Sequence, residues 1–379
     1  MSAFDFRLML GPLTLTVLAS VVTPSMGAEI AFVSNQYSPE RFVPHIHYSG
    51  PVVEGDAQKL IALLDEKAKC DVSLLPTEGG NCAVVTLQSP GGNYVEGLKL
   101  ARLFRERAFT TVVEVNSECY SACAFAFLGG TGYSSQDGVG VYNDRIVEPG
   151  GILGFHAPYF ASDDLSTLVA DFGMEAVLGA SRGDIALMVE QLVDWNVDPN
   201  VLGYIVSMGP EETYDVTTGE DLYLTRSHLP PSPLGEWIDD PQMAIRNACL
   251  RLLAYHGSSF LDPDPEVMGG AYLVDFARNA AGQGLSGFRI GPDNPLGVTY
   301  CGLPTDQADL AGDVDLSLFT APGITGAAGP MLTLFHRPHG WSSLGTGSRA
   351  DKRPFKRGGF NAMFTAPFQD VVAPMRDGF

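Results

Sequence analysis

Cys82-Ala83-Val84-Val85-Thr86-Leu87-Gln88-Ser89-Pro90-Gly91-Gly92 is the stretch on which the fold turns. Cys82 to Leu87 is short, apolar and rich in β-branched residues, the pattern of a parallel strand buried on both faces. Ser-Pro-Gly-Gly breaks it. A helix follows, with Tyr94, Leu98 and Ala101 on one face and Arg102, Arg105, Glu106 and Arg107 among its polar residues. Thr110 to Val115 is a second β-branched run. Ser121 to Leu128 is apolar on nearly every side, as a buried helix is, and Gly129-Gly130 stops it. This β-α-β-α alternation predicts a parallel sheet joined by crossover helices.

The pattern extends in both directions. Upstream, His45 to Gly50 reads as a strand ending in a turn. Asp56 then opens a helix whose apolar face carries Ala57, Leu60, Ile61 and Leu64. Downstream, residues 131–151 are rich in Gly, Ser and Asp and read as a loop or insertion. Residues 163–208 are mostly helical in composition. Pro230-Pro231-Ser232-Pro233 marks a linker. A helix over about 240–256 follows, then a Gly- and Pro-rich region with short strands. The expected organisation is a signal peptide over 1–28, an α/β domain over 29–234 and a C-terminal accessory region over 235–379.

The 379 residues carry 23 basic and 44 acidic side chains, a net charge of −21. Such a surface repels nucleic acid and anionic lipid, so neither is expected as a partner. Arg7 precedes an apolar run from Leu8 to Val22, broken by Gly11 and Pro12. Ser25-Met26-Gly27-Ala28 then offers small residues for a signal peptidase. The run is short for a membrane span, which takes ~20 residues. Export to the periplasm or beyond is the expectation, with an uncleaved N-terminal anchor as the alternative. Six cysteines in an exported chain favour disulfides, and proximity suggests Cys70–Cys82, Cys119–Cys123 and Cys249–Cys301. The basic segment Arg349, Lys352, Arg353, Lys356 and Arg357 reads as a solvated tail.

Ser121 carries the chemistry. A serine at a strand-to-helix corner has backbone N–H groups around it, and a tetrahedral intermediate of acyl transfer needs two such donors. Ala122 N–H supplies one. Gly91 and Gly92, without side chains, let a second amide approach the same point. His156, in Gly154-Phe155-His156-Ala157-Pro158, follows a possible strand and is the candidate general base. A carboxylate would orient its imidazole, and Glu211, Glu212 and Asp215 are all candidates. His45 and His47 share one strand face, but no third ligand is evident, so they and the pair His336 and His339 read as ordinary residues. No metal or cofactor is expected.

Residues 44–225 resemble a ClpP-like domain of the ClpP/crotonase superfamily, in particular its exported periplasmic branch. The resemblance rests on His47-Tyr48-Ser49-Gly50-Pro51-Val52, Leu87-Gln88-Ser89-Pro90-Gly91-Gly92, Cys119-Tyr120-Ser121-Ala122-Cys123 and Phe155-His156-Ala157-Pro158. It implies an α/β fold, a parallel β-α-β superhelical domain, followed here by a smaller mixed C-terminal region outside the resemblance. It also implies a serine peptidase with Ser121 as nucleophile, His156 as base and an oxyanion hole at Gly91, Gly92 and Ala122. The family's third residue precedes a Leu-Ser or Leu-Thr pair. Val216-Thr217 matches that pair, which places Glu212 or Thr213 where the family has aspartate, and Glu212 is the chosen third member. The superfamily's Ser-Lys dyad finds no partner, since no lysine lies between Ser121 and Lys352. CoA, the ligand of the crotonase branch, is not expected outside the cytoplasm. The implied partner is a peptide or protein substrate, in a chain that can form a homo-oligomer. The competing expectation is a catalytically silent scaffold of the same fold that binds peptides or proteins.

Overall fold

The computed structural model describes residues 27–38, 42–67, 72–76, 79–135, 140–159, 162–209, 212–230, 232, 234, 238–256, 273–280, 284–291, 297–319, 330–337, 343–345, 356–357, 360–365 and 372. All of the expected signal peptide but Gly27 and Ala28, and Cys70, lie outside them.

The first unit is mixed α/β. A five-stranded sheet runs in the order β1 (Glu29–Ser34), β2 (His45–Ser49), β3 (Ala83–Gln88), β4 (Phe109–Val113), β8 (Arg145–Val147). β2, β3, β4 and β8 are parallel, and β1 is antiparallel to β2. β3 and β4 are buried almost throughout, which explains their unbroken apolar sequence. Between the strands come α1 (Asp56–Lys67), α2 (Tyr94–Glu106) and the fully buried α3 (Ala122–Phe127). A second sheet of three strands sets β5 (Glu118–Tyr120) parallel to β9 (Ile152–Phe155), with β10 (Tyr214–Asp215) antiparallel on the far side of β9. β6 (Thr131–Ser134) and β7 (Gly140–Asn143) form a hairpin. Then come α4 (Ser162–Phe172), α5 (Met174–Asp194), α6 (Pro199–Ser207) and α7 (Gly219–Leu224).

The segment 131–151 corrects one expectation. Read as a loop or insertion, it holds β6, β7 and β8 among its described residues, and β8 completes the parallel sheet. Three or four residues are too few for a periodic signal. β8 is held instead by Arg145, whose fully buried guanidinium donates to the carbonyls of Thr225 at 2.8 Å and Trp195 at 2.9 Å. Those are the C-terminal residues of α7 and α5, so one side chain satisfies orphan carbonyls at two helix ends.

The second unit lays α8 (Pro241–His256) against an antiparallel sheet in sequence order: β11 (Leu273–Ala280), β12 (Leu285–Ile290), β13 (Tyr300–Pro304), β14 (Val314–Phe319), β15 (Leu332–His336), β16 (Ser343–Gly345) and β17 (Lys356–Arg357). Cys249–Cys301 pins α8 to β13. Leu229 belongs to the first core and Leu234 to the second, so the cores divide across the proline-rich segment. The chain end ties them together again. Asn361 exchanges two hydrogen bonds with Leu229, and Ala362 and Val372 pack into the first core while Met363 and Phe364 pack into the second. Among the described residues no helix is long and apolar enough to cross a membrane.

His336 is buried in β15, its Nε2 donating to Ser232 C=O at 3.3 Å. Burial outweighs that bond and pushes the imidazole down to about 4. Between about pH 4 and 6.5 the unfolded chain therefore carries a proton that the folded chain lacks. Stability present above pH 6.5 is lost as pH falls towards 4, by up to about 3 kcal/mol. His336→Gln is expected to remove that component when urea unfolding is compared at several pH values across this window. An unchanged pH dependence would contradict the assignment.

Candidate active site

Ser121 is the N-cap of α3 and sits directly after β5, with φ 55° and ψ −122°. A side-chain-bearing residue in that region is strained, by about 1–3 kcal/mol. Its side chain makes no capping hydrogen bond, although serine commonly serves that purpose. The hydroxyl is therefore not committed to the helix. A serine held on a strained strand-to-helix turn is the geometry of a nucleophile elbow.

The Ser-Pro-Gly-Gly turn is pressed against this corner. Ser89 forms a parallel bridge with Cys119, with Ser89 N–H donating to Glu118 C=O at 2.7 Å and Tyr120 N–H to Ser89 C=O at 3.0 Å. Gly91 and Gly92 have φ of 97° and 139°, open to glycine and costly for other residues. A Cβ on Gly91 would lie 2.6 Å from Ser121 Cβ and 3.2 Å from Ala122 N. On the other side, Val52 N–H donates to Gly91 C=O and Asn93 N–H donates to Val52 C=O, both at 2.8 Å. That bridge turns the N–H of Gly92 away from Val52. The N–H of Gly91 is already donated to Ser89 Oγ at 3.1 Å. Of the three expected oxyanion amides, Gly92 and Ala122 are thus the two with no acceptor among the described residues.

His156 leaves the neighbouring strand at the same end. Tyr120 pairs with Gly154 in the parallel β5–β9 ladder, and Ser121 N–H donates to Gly154 C=O at 3.0 Å. Ser121 and His156 therefore follow adjacent parallel strands by one and two residues past that pair. His156 is half-buried, its ring centroid 5.2 Å from that of Tyr159. Its Nδ1 lies 2.8 Å from Ala157 C=O. A carbonyl only accepts, so Nδ1 donates, and in the neutral ring that leaves the lone pair on Nε2. That is the tautomer a general base needs.

No hydrogen bond or ion pair joins Glu212 to the imidazole. It is exposed, and its Oε2 accepts from Gly209 N–H at 2.9 Å. Glu211 lies outside the described residues. Asp215 is on β10 opposite Gly154, with a buried Oδ1 that has no hydrogen-bond partner in the structure. Gly154 leaves room there for both Asp215 Oδ1 and the ring of Tyr120. The partner that orients His156, a backbone carbonyl, has no signal in the sequence because every residue carries one.

Cys119 and Cys123 are disulfide-bonded across Ser121, with Cα atoms 5.2 Å apart. Both are buried, so the bridge ties the end of β5 to the first turn of α3 beneath the serine. Cys82 is also disulfide-bonded; its expected partner Cys70 is outside the described residues. His45 Nε2 and His47 Nδ1 share the hydroxyl of Thr86 at 3.1 and 2.9 Å. Among the described residues no group of three or more His, Cys, Asp or Glu is placed to hold a metal ion.

The strain at Ser121 has a thermodynamic signature. Ser121→Gly is expected to be more stable than Ser121→Ala by about 1 kcal/mol, because only glycine enters this backbone region without penalty. Chemical denaturation of the two variants side by side measures it, and an alanine variant as stable as the glycine one would contradict the strain.

No protein-family model matches the chain, and no curated protein matches it in sequence.

Proposed function

We propose that the chain is an exported serine hydrolase of the ClpP-like type, a peptidase acting on peptide or protein amide bonds. One observation carries the reading. Ser121 occupies a strained corner with a glycine turn packed on its Cβ, at the end of a strand paired in parallel with the one that delivers His156. In the proposed reaction Ser121 Oγ attacks the substrate carbonyl while His156 Nε2 takes its proton. Gly92 N–H and Ala122 N–H receive the developing oxyanion. Nε2–H then protonates the leaving amine. Water, activated by the same nitrogen, releases the acyl group and restores Ser121. The two disulfides whose partners are both described support an oxidising compartment, hence export. The mixed α/β order of the first unit, with parallel β2, β3 and β4 joined by crossovers, is what supports the ClpP-like superhelical reading.

The second reading, a silent scaffold that binds peptides, draws on one observation. The imidazole is held by Ala157 C=O, and among the described residues no carboxylate bonds to it. A neutral carbonyl fixes the tautomer but stabilises imidazolium less than a carboxylate would.

A fluorophosphonate probe separates the two. The enzyme reading expects covalent labelling of the wild type, abolished in Ser121→Ala and strongly reduced in His156→Ala. Folded wild-type protein that stays unlabelled from pH 6 to 9 favours the scaffold. Glu212→Gln is expected to hold the labelling rate within about threefold, since its carboxylate serves Gly209; a loss of ~10³, the scale of a lost triad carboxylate, would place Glu212 on the imidazole during reaction.

A further inference from the structure

We propose that Gly97 is a positioning residue for the oxyanion hole: its missing side chain sets where the Ala122 peptide lies. The proposal rests on the serine-hydrolase reading of Ser121. Gly97 stands in the first turns of α2, where glycine weakens a helix relative to alanine. Its cost there needs a local reason, and the structure supplies one. A Cβ on Gly97 would run into the carbonyl oxygen of Ala122 and lie 3.0 Å from its carbonyl carbon and 3.1 Å from its Cα. All three are backbone atoms, so no flexible side chain can swing away. On the other side of the same residue, a Cβ on Gly91 would come within 3.2 Å of Ala122 N. Two glycines of one short segment thus close on the backbone that carries the proposed oxyanion donor.

That segment is braced and cannot retreat. Asn93 caps α2, its Oδ1 accepting from Glu96 N–H at 2.9 Å, and Gly97 N–H donates to Asn93 C=O at 3.0 Å. Glu96 is buried and its Oε1 accepts from Ala57 N–H at 2.9 Å, which ties this turn to the start of α1. Leu98 and Ala101 are packed into the core behind it. A methyl group added at Gly97 therefore displaces Ala122 rather than α2. An oxyanion donor works over a narrow range, about 2.7–3.1 Å from the charge it stabilises. A displacement of Ala122 N–H by a few tenths of an ångström weakens transition-state binding and leaves ground-state binding alone.

Gly97→Ala is accordingly expected to slow fluorophosphonate labelling of Ser121 by ~10-fold or more, through the inactivation step and with the probe's apparent binding constant unchanged. Leu98→Val, which removes buried volume from the same helix without adding an atom at Gly97, is the control for general destabilisation and should label at close to the wild-type rate. If Gly97→Ala does not fold, Gly97→Ala/Ala122→Gly lets the peptide yield and should fold while still labelling slowly. A folded Gly97 variant that labels at the wild-type rate overturns the proposal, as does an equal loss in Leu98→Val. Wild-type protein that fails to label defeats the hydrolase reading instead, and the positioning role falls with it.

Discussion

The first unit is organised around an approach too close for one carbon atom, that of the Ser-Pro-Gly-Gly turn to the Ser121 corner. Gly91 meets Ser121 Cβ, Gly92 meets the backbone of Val52, and Gly97 meets the backbone of Ala122. Side chains at these points would push apart segments that hold one another by main-chain hydrogen bonds. Val52, Gly91 and Asn93 form one such ladder, and Ser89 with Glu118 and Tyr120 forms the next. The result brings several strand ends and a helix start to one place with little intervening side-chain volume. Backbone amides are then prominent among the polar groups at that place, which is what the proposed acyl transfer requires.

The serine itself is strained, and the surroundings must hold it there. The Cys119–Cys123 bridge joins the strand before the corner to the helix after it. Further along the buried α3, Phe125 packs edge-on against Tyr94 and Phe155. Rigid support of this kind converts local strain into a fixed hydroxyl position. His156 is oriented by its own neighbour's carbonyl. In the proposed function that contact selects the basic tautomer, and the remaining question of imidazolium stabilisation falls to the electrostatics around β9 and β10.

Much of this was legible in the sequence, and the rest was hidden for identifiable reasons. The strands at Ala83–Gln88 and Phe109–Val113 are long enough and buried enough to show as apolar runs, and Ser-Pro-Gly-Gly announces its own turn. The Cys119–Cys123 and Cys249–Cys301 pairings followed from proximity and are formed. β6, β7 and β8, of three or four residues each, have no period to detect, so 131–151 read as a loop or insertion. Arg145 gave no hint that it would be buried, because its partners are carbonyls at helix ends distant in sequence. Glu212 was chosen from the family resemblance, which sets the third residue just before Val216-Thr217. The turn instead spends that carboxylate on Gly209, a local bond that a sequence pattern does not resolve. The C-terminal sheet is a seven-stranded meander whose short, Gly-interrupted strands read only as a mixed region.

In the proposed function Ser121 Oγ, Gly92 N–H, Ala122 N–H and His156 Nε2 converge on one reacting centre. A crystal structure of the protein after treatment with a fluorophosphonate tests it most directly, because the adduct mimics the tetrahedral intermediate. The expected structure has phosphorus bonded to Ser121 Oγ, its phosphoryl oxygen about 2.7–3.1 Å from both amides, and His156 Nε2 facing the serine oxygen. An adduct on another residue, or a phosphoryl oxygen turned away from both amides, would contradict it.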